Sequence, residues 1–380
     1  MKTIVHIVDT LCMGGRENSV IDICNKLDKK KHNVFVVTLT DNLNDLVYKL
    51  DSDVTFYPLP FKHKQLVGFN VFFSFLKVVV NLSNVLNSII PDIIHTHSYL
   101  HRLLIENLAI RRIKNNVKCF HTVHTSGMYY KSDKYLDQFK LLFEKFAIGL
   151  VKPSLIGISE VVQENNIKFY NKQSKTSRYI PNGVDLEIYR KEIYNAKLSD
   201  FGFCEQDVVI AYVARLCKGK NHNTLLKAIK IVVEKYPFVK LVLAGEGDER
   251  NDIEDFLAKN KLTKSVILLG SINNIPELLS VSTFCVFPSE FEGFSLTLIE
   301  KMAMGLPVVA ADNQIFKKLI CNGENGLLFS MFDEVELAKC ISNLIDDDKL
   351  YNTISKNALL FSKEFSIQRM VSEHEIYYEK

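Results

Sequence analysis

Two carboxylates bracket the stretch best equipped for chemistry. Glu292 and Glu300 stand eight positions apart in FPSEFEGFSLTLIEKMAMGLPVVAA, residues 287–311. The apolar run 284–287 reads as a strand stopped by Pro288, a Gly-containing loop follows, and Leu296 to about Met304 has a helical pattern. Gly305-Leu306-Pro307 ends that helix and 308–311 reads as the next buried strand, which makes a βαβ unit. The loop of such a unit lies at the carboxyl end of its strand, and the following helix amino terminus can hold a phosphate. Gly293 lets backbone approach a ligand closely, and Glu300, two helical turns beyond Glu292, projects to roughly the same side. Two cations, Arg215 and Lys220 in ARLCKGKN, sit at another strand-to-helix turn and suit a diphosphate. Each residue also has a plain structural reading. Glu292 could be a solvated loop carboxylate favoured by the helix dipole, Glu300 a surface residue paired with Lys301, and the two cations loop charges in water.

The histidines and a glycine pair add further candidates. His95 and His97, at i and i+2 of a strand over 91–97, face one side and could ligate a metal, but the sequence offers no evident third ligand. Asp51-Ser52-Asp53 leads into the strand beginning at Val54, where aspartates serve local turns, so no metal is expected. His124 closes the strand read over 117–125, at the end where ligands meet parallel sheets; a hydrogen-bonded structural role is the alternative. Gly14-Gly15 lies between the strand 4–9 and a helix from near Asn18 to Leu27, a turn that can approach a phosphate. The absence of GxGxxG gives no indication of a dinucleotide cofactor.

The elements that must position these groups alternate throughout. Strands are expected at 34–39, 155–159, 208–213, 239–244 and 266–269, with helices from Thr224, near 274–279, and at 336–345, 350–361 and 366–380. Small residues in Gly245-Glu246-Gly247 would let a base or ribose lie close to the sheet edge. Apolar residues 68–90 read as a helix packed on the sheet, with a membrane-surface role as the alternative, and 129–151 as an amphipathic helix rich in Lys and aromatics. Two successive α/β sets, each ending in ligand-competent loops, imply two Rossmann-like domains facing across a cleft.

The string Glu292-Gly-Phe-Ser-Leu-Thr-Leu-Ile-Glu300, with Phe-Pro-Ser before it and Met-Ala-x-Gly-x-Pro-Val-Val after it, resembles the Glu-x7-Glu signature of retaining GT-B glycosyltransferases of family 4. Gly-Gly-x-Glu (Gly14, Gly15, Glu17), Asp-x-x-His-x-His (92–97), Pro-Asn-Gly-Val-Asp (181–185) and Arg-Leu-x-x-x-Lys (215–220) are similar to further motifs of that family, so the resemblance spans nearly the whole chain. It implies an enzyme that takes a hexose or N-acetylhexosamine from a nucleotide-diphosphate sugar, with UDP expected, to a hydroxyl of a glycan or lipid-linked acceptor, as in cell-surface polysaccharide synthesis. By the same resemblance Glu292 faces the donor sugar, assisted by the amides of Phe294, Ser295 and Leu296, and Glu300 holds the ribose. Arg215 and Lys220 take the pyrophosphate, Gly14 and Gly15 lie over the phosphates, and His124 is an active-site histidine. No cofactor beyond the nucleotide-sugar co-substrate is implied. The domains expected are 1–184 on the acceptor side, 185–363 for the nucleotide-sugar, and a crossover helix at 364–380.

Composition fits that reading. The 380 residues are 47% hydrophobic and 24% charged, and no uncharged apolar run reaches membrane-spanning length. The eight cysteines form no CxxC pair and read as reduced thiols of a cytoplasmic protein. Residues 1–190 hold 25 Lys+Arg against 17 Asp+Glu, and the remainder 22 against 27, so a basic half (+8) and an acidic half (−5) make the net +3. The basic half makes an anionic membrane surface, at the inner face of the membrane, a candidate partner; nucleic acid is not expected. Rival readings are a phosphorylase-like or other nucleotide-binding GT-B protein and a non-catalytic, membrane-associated scaffold.

Overall fold

The computed structural model describes residues 1–12, 14–66, 70–124 and 135–380. Two compact units emerge: unit 1, Met1–Gly183 with Ile367–Lys380, and unit 2, Val184–Ser366.

Unit 1 runs β1 (Lys2–Val8), α1 (Gly15–Lys26), β2 (His32–Thr38), β3 (Val54–Pro58), α2 (Asn70–Ile89), β4 (Ile93–Thr96), α3 (Leu100–Ile110), β5 (Lys118–Val123), α4 (Tyr135–Val151), β6 (Ser154–Gly157), α5 (Glu160–Tyr170) and β7 (Ser177–Tyr179). Its sheet is parallel, in the order β3-β2-β1-β4-β5-β6-β7. The apolar run of β1 is buried on both faces, as a parallel strand between helical layers must be. Ile4 and Val8 face Val20, Ile23 and Cys24 of α1, while Val5 and Ile7 pack with Val78, Leu82 and Leu86 of α2 and Ile105 of α3.

Unit 2 runs β8 (Val208–Val213), α6 (His222–Lys235), β9 (Val239–Ala244), α7 (Arg250–Lys259), β10 (Val266–Gly270), α8 (Ile275–Val281), β11 (Phe284–Phe287), α9 (Leu296–Ala303), β12 (Val308–Ala311), α10 (Phe316–Leu319), β13 (Leu327–Phe329), α11 (Glu334–Asp346) and α12 (Asp348–Ser362). The chain then gives α13 (Ile367–Glu379) to unit 1, where Met370, Val371, Tyr377 and Tyr378 join the core beside β1. The second sheet is parallel in the order β10-β9-β8-β11-β12-β13. Its core sets Ile210 and Tyr212 of β8 against Leu225, Ile229 and Val232, one stripe of α6, and against Leu337, Ile341 and Leu344 of α11.

Strand order reverses direction between β1 and β4 in the first sheet and between β8 and β11 in the second. Loops leaving the carboxyl ends at such a reversal splay apart and leave a crevice for a ligand. In unit 2 those loops carry Arg215 and Lys220 after β8 and Glu292 after β11.

Several sequence expectations shift. Helix α1 begins at Gly15, not near Asn18, and residues 67–69 and 125–134, which include the start of two expected helices, lie outside the described residues. Gly245 and Gly247 have a packing reason of their own. A Cβ on Gly245 (φ +148) would collide with the Ala214 carbonyl, and one on Gly247 with the Leu216 carbonyl. The loop after β9 thus lies directly on the loop after β8, fixed by Leu216 N–H to Glu246 O (2.9 Å) and Glu249 N–H to Leu216 O (3.0 Å).

Candidate functional site

The two loops at the β8/β11 reversal are bound together. The Lys220 ammonium reaches Glu292 Oε1 at 2.6 Å, both side chains half-buried. Glu290 N–H donates to the Gly219 carbonyl at 3.0 Å, and the Tyr212 hydroxyl donates to the Lys220 carbonyl at 2.8 Å and lies 3.2 Å from Ser289 Oγ. Burial pushes the Tyr212 phenol well above its usual range, so it stays a donor. Asn313 Nδ2, after β12, donates to the Ser289 carbonyl at 2.9 Å and closes the frame. Two residues 72 positions apart in sequence, Lys220 and Glu292, are thereby held as an ion pair at the carboxyl edge of the sheet.

The start of α9 differs from those of α11 and α12, and like those of α6, α7, α8 and α10 it has no side-chain cap. Asp333 caps α11 by accepting from Val335 and Glu336 N–H, and Asp347 caps α12 by accepting from Leu350 N–H. At α9 the N-cap is Ser295, in the left-handed region (φ 68), and its hydroxyl makes no capping bond. That hydroxyl is buried without a hydrogen-bond partner among the described residues. The amino-terminal N–H groups of a helix have no intrahelical acceptor, so this end of α9 offers donors and a partial positive charge for an anion. A non-glycine residue held at positive φ is the kind of local strain that gathers at functional sites. Phe294 anchors the turn from below, buried, its ring 5.4 Å from that of Phe365. Leu296 is the first helical residue.

Glu300 sits one turn from the end of α9, half-buried, and its Oε2 accepts from Lys301 Nζ at 3.1 Å. Lys301 is only 1% exposed, a buried cation where the sequence suggests a surface partner for Glu300. Arg215 is exposed on the loop after β8, five residues before Lys220; its carbonyl accepts from Cys217 N–H at 2.9 Å. The structure pairs Lys220 with Glu292, puts Ser295 at the uncapped helix end, and places Arg215 on the same loop as Lys220.

In unit 1 the β1/β4 reversal holds a second constellation. Asp9, just past β1, accepts from Arg16 and Arg102, and Glu17 also binds Arg16 (Nε to Oε1, 2.9 Å). Gly14 and Gly15 lead into α1 above this network, and a Cβ on Gly14 would press on the Glu17 carboxylate. His124 follows β5, half-buried, with Nε2 3.1 Å from His97 Nδ1. The third histidine that the sequence did not reveal is His6. It stands in register with His95 across the β1–β4 pairing, and its Nδ1 lies 3.0 Å from His97 Nε2. Potential ligand atoms of His6, His95 and His97 lie within 4.8 Å of one another. The signal was available: β1 and β4 each place a histidine at a buried parity, but only the pairing of the strands joins them. Burial holds His6 down to about 3 and His121 and His374 to about 4, and holds His95, His97 and His124 well below the usual imidazole range. Neighbouring imidazoles add to the burial effect at His95 and His97, as does Arg16 at His124, so these rings are neutral at pH 7.

With the geometry established, known proteins give it context. Residues 196–360 match the profile described as glycosyl transferases group 1, and residues 13–188 that of glycosyltransferase family 4. The UDP-Gal:alpha-D-GlcNAc-diphosphoundecaprenol alpha-1,3-galactosyltransferase of Escherichia coli is 30% identical over 290 residues, 74% of this chain and 73% of that protein. The alpha-monoglucosyldiacylglycerol synthase of Acholeplasma laidlawii is 24% identical over 371 residues, 93% of this chain and 90% of that one. Among solved structures, Anabaena Alr3699/HepE in complex with UDP and glucose superposes with a TM-score of 0.80 over 100% of both chains at 19% identity, a likeness of fold.

Proposed function

The chain belongs to glycosyltransferase family 4 and has its GT-B fold, and from that premise we propose that this glycosyltransferase moves a hexose or N-acetylhexosamine from a UDP-sugar to a hydroxyl of a glycan or lipid-linked acceptor, with retention at the anomeric carbon. The observation that carries the donor side is the Lys220–Glu292 ion pair beside an uncapped helix start with the unpaired Ser295 hydroxyl. Lys220, Arg215 and the amino terminus of α9 neutralise the diphosphate, and their charge stabilises it as the bond to the sugar breaks and it takes up the electron pair. When the diphosphate engages Lys220, Glu292 is released from that cation to face the sugar, where positive charge develops at the anomeric carbon. The amides of Phe294, Ser295 and Leu296 orient the sugar, and Glu300 takes the ribose hydroxyls. In unit 1, Gly14, Gly15 and His124 are the groups assigned to substrate. The reaction as proposed needs no metal or cofactor.

UDP is supported by the UDP-galactose donor of the E. coli relative and by the UDP bound in the Anabaena structure. A panel of nucleotide-sugars tests it: a UDP-sugar is expected to raise the melting temperature and to be consumed on adding acceptor. Arg215→Ala is expected to raise the donor KM about tenfold with a smaller change in kcat, since it removes one charge-assisted contact. Failure of every UDP-sugar to shift melting or turn over would overturn the donor assignment.

A lipid-linked acceptor is supported by one face of α4. Tyr135, Phe139, Leu142 and Phe146, spaced 4, 3 and 4 apart, are 93%, 64%, 63% and 60% exposed. Lys140 and Lys145 share the helix, within the basic half of the chain. Among the described residues no helix is long and apolar enough to cross a membrane. An apolar stripe flanked by lysines fits an anionic bilayer surface, where aromatics enter the headgroup boundary and lysines meet lipid phosphates. Co-sedimentation with vesicles containing anionic phospholipid is expected at low salt, weakening in high salt and falling at least tenfold in Phe139→Ser/Phe146→Ser. Equal binding by that variant would remove α4 from the interaction.

A further inference from the structure

Lys301 is a cation with almost no access to water. Its side chain is 1% exposed, on a helix whose other buried residues, Leu298, Ile299, Met302 and Ala303, are all apolar. Taking an ammonium out of water is costly unless an anion meets it. Among the described residues Lys301 Nζ has one ion-pair partner, Glu300 Oε2 at 3.1 Å. Cys285 of β11 lies close enough for the ammonium to act on its thiol, but burial pushes that thiol up to about 12. It is neutral at pH 7 and supplies no counter-charge.

A helix does not make this contact by default. Adjacent residues of an α-helix point about 100° apart and do not face each other, whereas positions three and four apart do. Glu300 and Lys301 meet because both side chains turn toward the border of the buried face, where the Glu300 side chain keeps 19% exposure. The stem of Lys301 fills apolar space, and a methionine would fill it as well without a charge. Packing therefore explains the stem and leaves the ammonium to be explained by what it holds.

We propose that Lys301 is a positioning residue for the nucleotide: it holds Glu300 by Oε2, so that Oε1 is presented to the ribose hydroxyls. This inference rests on the assignment of Glu300 to the ribose. A glutamate side chain has several torsions to fix before it can accept from a ligand. Pinned through one oxygen, it has lost that freedom before the nucleotide arrives, and the bonds it makes are correspondingly stronger. The consequence is selectivity for the ribo form. A nucleotide without the ribose hydroxyls leaves the pinned carboxylate without its donors.

Calorimetric affinities of the full chain for UDP and for 2′,3′-dideoxy-UDP, which lacks both hydroxyls, test this. The unchanged protein is expected to prefer UDP by about 100-fold or more, the worth of two hydrogen bonds to a charged group. Lys301→Met is expected to bind UDP about tenfold more weakly and the dideoxy form equally well, so the preference shrinks about tenfold. Its melting temperature without nucleotide is expected to hold or rise, because an apolar side chain replaces a buried charge. Lys301→Gln, shorter but still a donor, is expected to fall between the two and carries the same comparison should the methionine variant not fold. Glu300→Ala is expected to reduce the preference to a few-fold. A preference lost in Glu300→Ala but unchanged in both Lys301 variants would overturn the proposal and leave Glu300 on the ribose. Equal weakening of both nucleotides in the Lys301 variants would also overturn it, since that is the mark of a structural role. A preference unchanged in Glu300→Ala would overturn the ribose assignment, and the proposal with it.

Discussion

Glu292→Gln is expected to lower sugar transfer about 10²–10³-fold while nucleoside-diphosphate affinity stays within a few-fold. The range is that of removing one preorganised electrostatic partner of a developing charge. Glutamine keeps the length of the side chain and an oxygen that can still accept from Lys220, so the tie between the loops after β8 and β11 persists. What disappears is the negative charge facing a sugar whose anomeric carbon becomes positive. Glu292→Ala is a poorer test, because it also strips the half-buried Lys220 of its 2.6 Å partner and can disturb diphosphate binding. Initial rates with and without acceptor, beside calorimetric UDP affinity and the melting temperature, separate the effects. Undiminished turnover in Glu292→Gln would remove this carboxylate from the chemistry.

Unit 1 is expected to lose about 3 kcal/mol or more of stability between pH 7 and pH 5. Its buried histidines are neutral in the folded chain, with His6 held to about 3 and His121 and His374 to about 4, each by burial. In the unfolded chain they titrate near 6.5, so below that pH the unfolded state binds more protons and gains on the folded one. The stabilisation is complete above about pH 6.5 and declines as the pH falls toward 4. At pH 5 each of the three has lost about 2 kcal/mol, at about 1.4 kcal/mol per pH unit. The buried Glu106 carboxyl opposes this. Burial raises it to about 8, so it stays protonated in the fold and returns roughly 3 kcal/mol over the same interval. Glu144, raised by burial, acts in the same sense, whereas His95, His97 and His124 add to the loss. Melting temperature against pH, with hydrogen exchange at β4 as the local reporter, checks the outcome. A flat melting temperature from pH 7 to pH 5 would show that these rings are not held neutral.

The sequence made some of this plain and concealed the rest for identifiable reasons. The βαβ unit at 284–311 is readable because its strands are uniformly apolar and Pro288, Gly305 and Pro307 punctuate it. Nothing in the sequence singles out helices α3 and α7. The first follows directly on a histidine-bearing strand, and the second, RNDIEDFLAK, commits only Ile253 and Leu257 to full burial. The strands β7 and β13 have three residues each, too few to show a period. The start of α1 is masked by Gly14-Gly15, poor helix formers in isolation. Among the site residues, no local pattern links Lys220 to Glu292; family motifs marked both, and only the fold makes them partners. The family motif points to the Ser295 amide, whereas its unpaired hydroxyl and positive φ are properties of the folded turn. His6 looked like one more residue of a buried strand until pairing with β4 set it beside His97.

The path of the backbone through the two units has a consequence during synthesis. Unit 2 is one continuous segment, Val184–Ser366, whereas unit 1 is closed only by Ile367–Lys380. The ribosome therefore delivers every residue of unit 2 before it delivers Met370, Val371, Tyr377 and Tyr378, which cover the core beside β1, and Tyr378, which holds His95. The usual order of co-translational folding, first segment first, is inverted here. The nascent amino-terminal sheet waits with one flank uncovered until α13 emerges, and so is the half for a holding chaperone to guard in that interval.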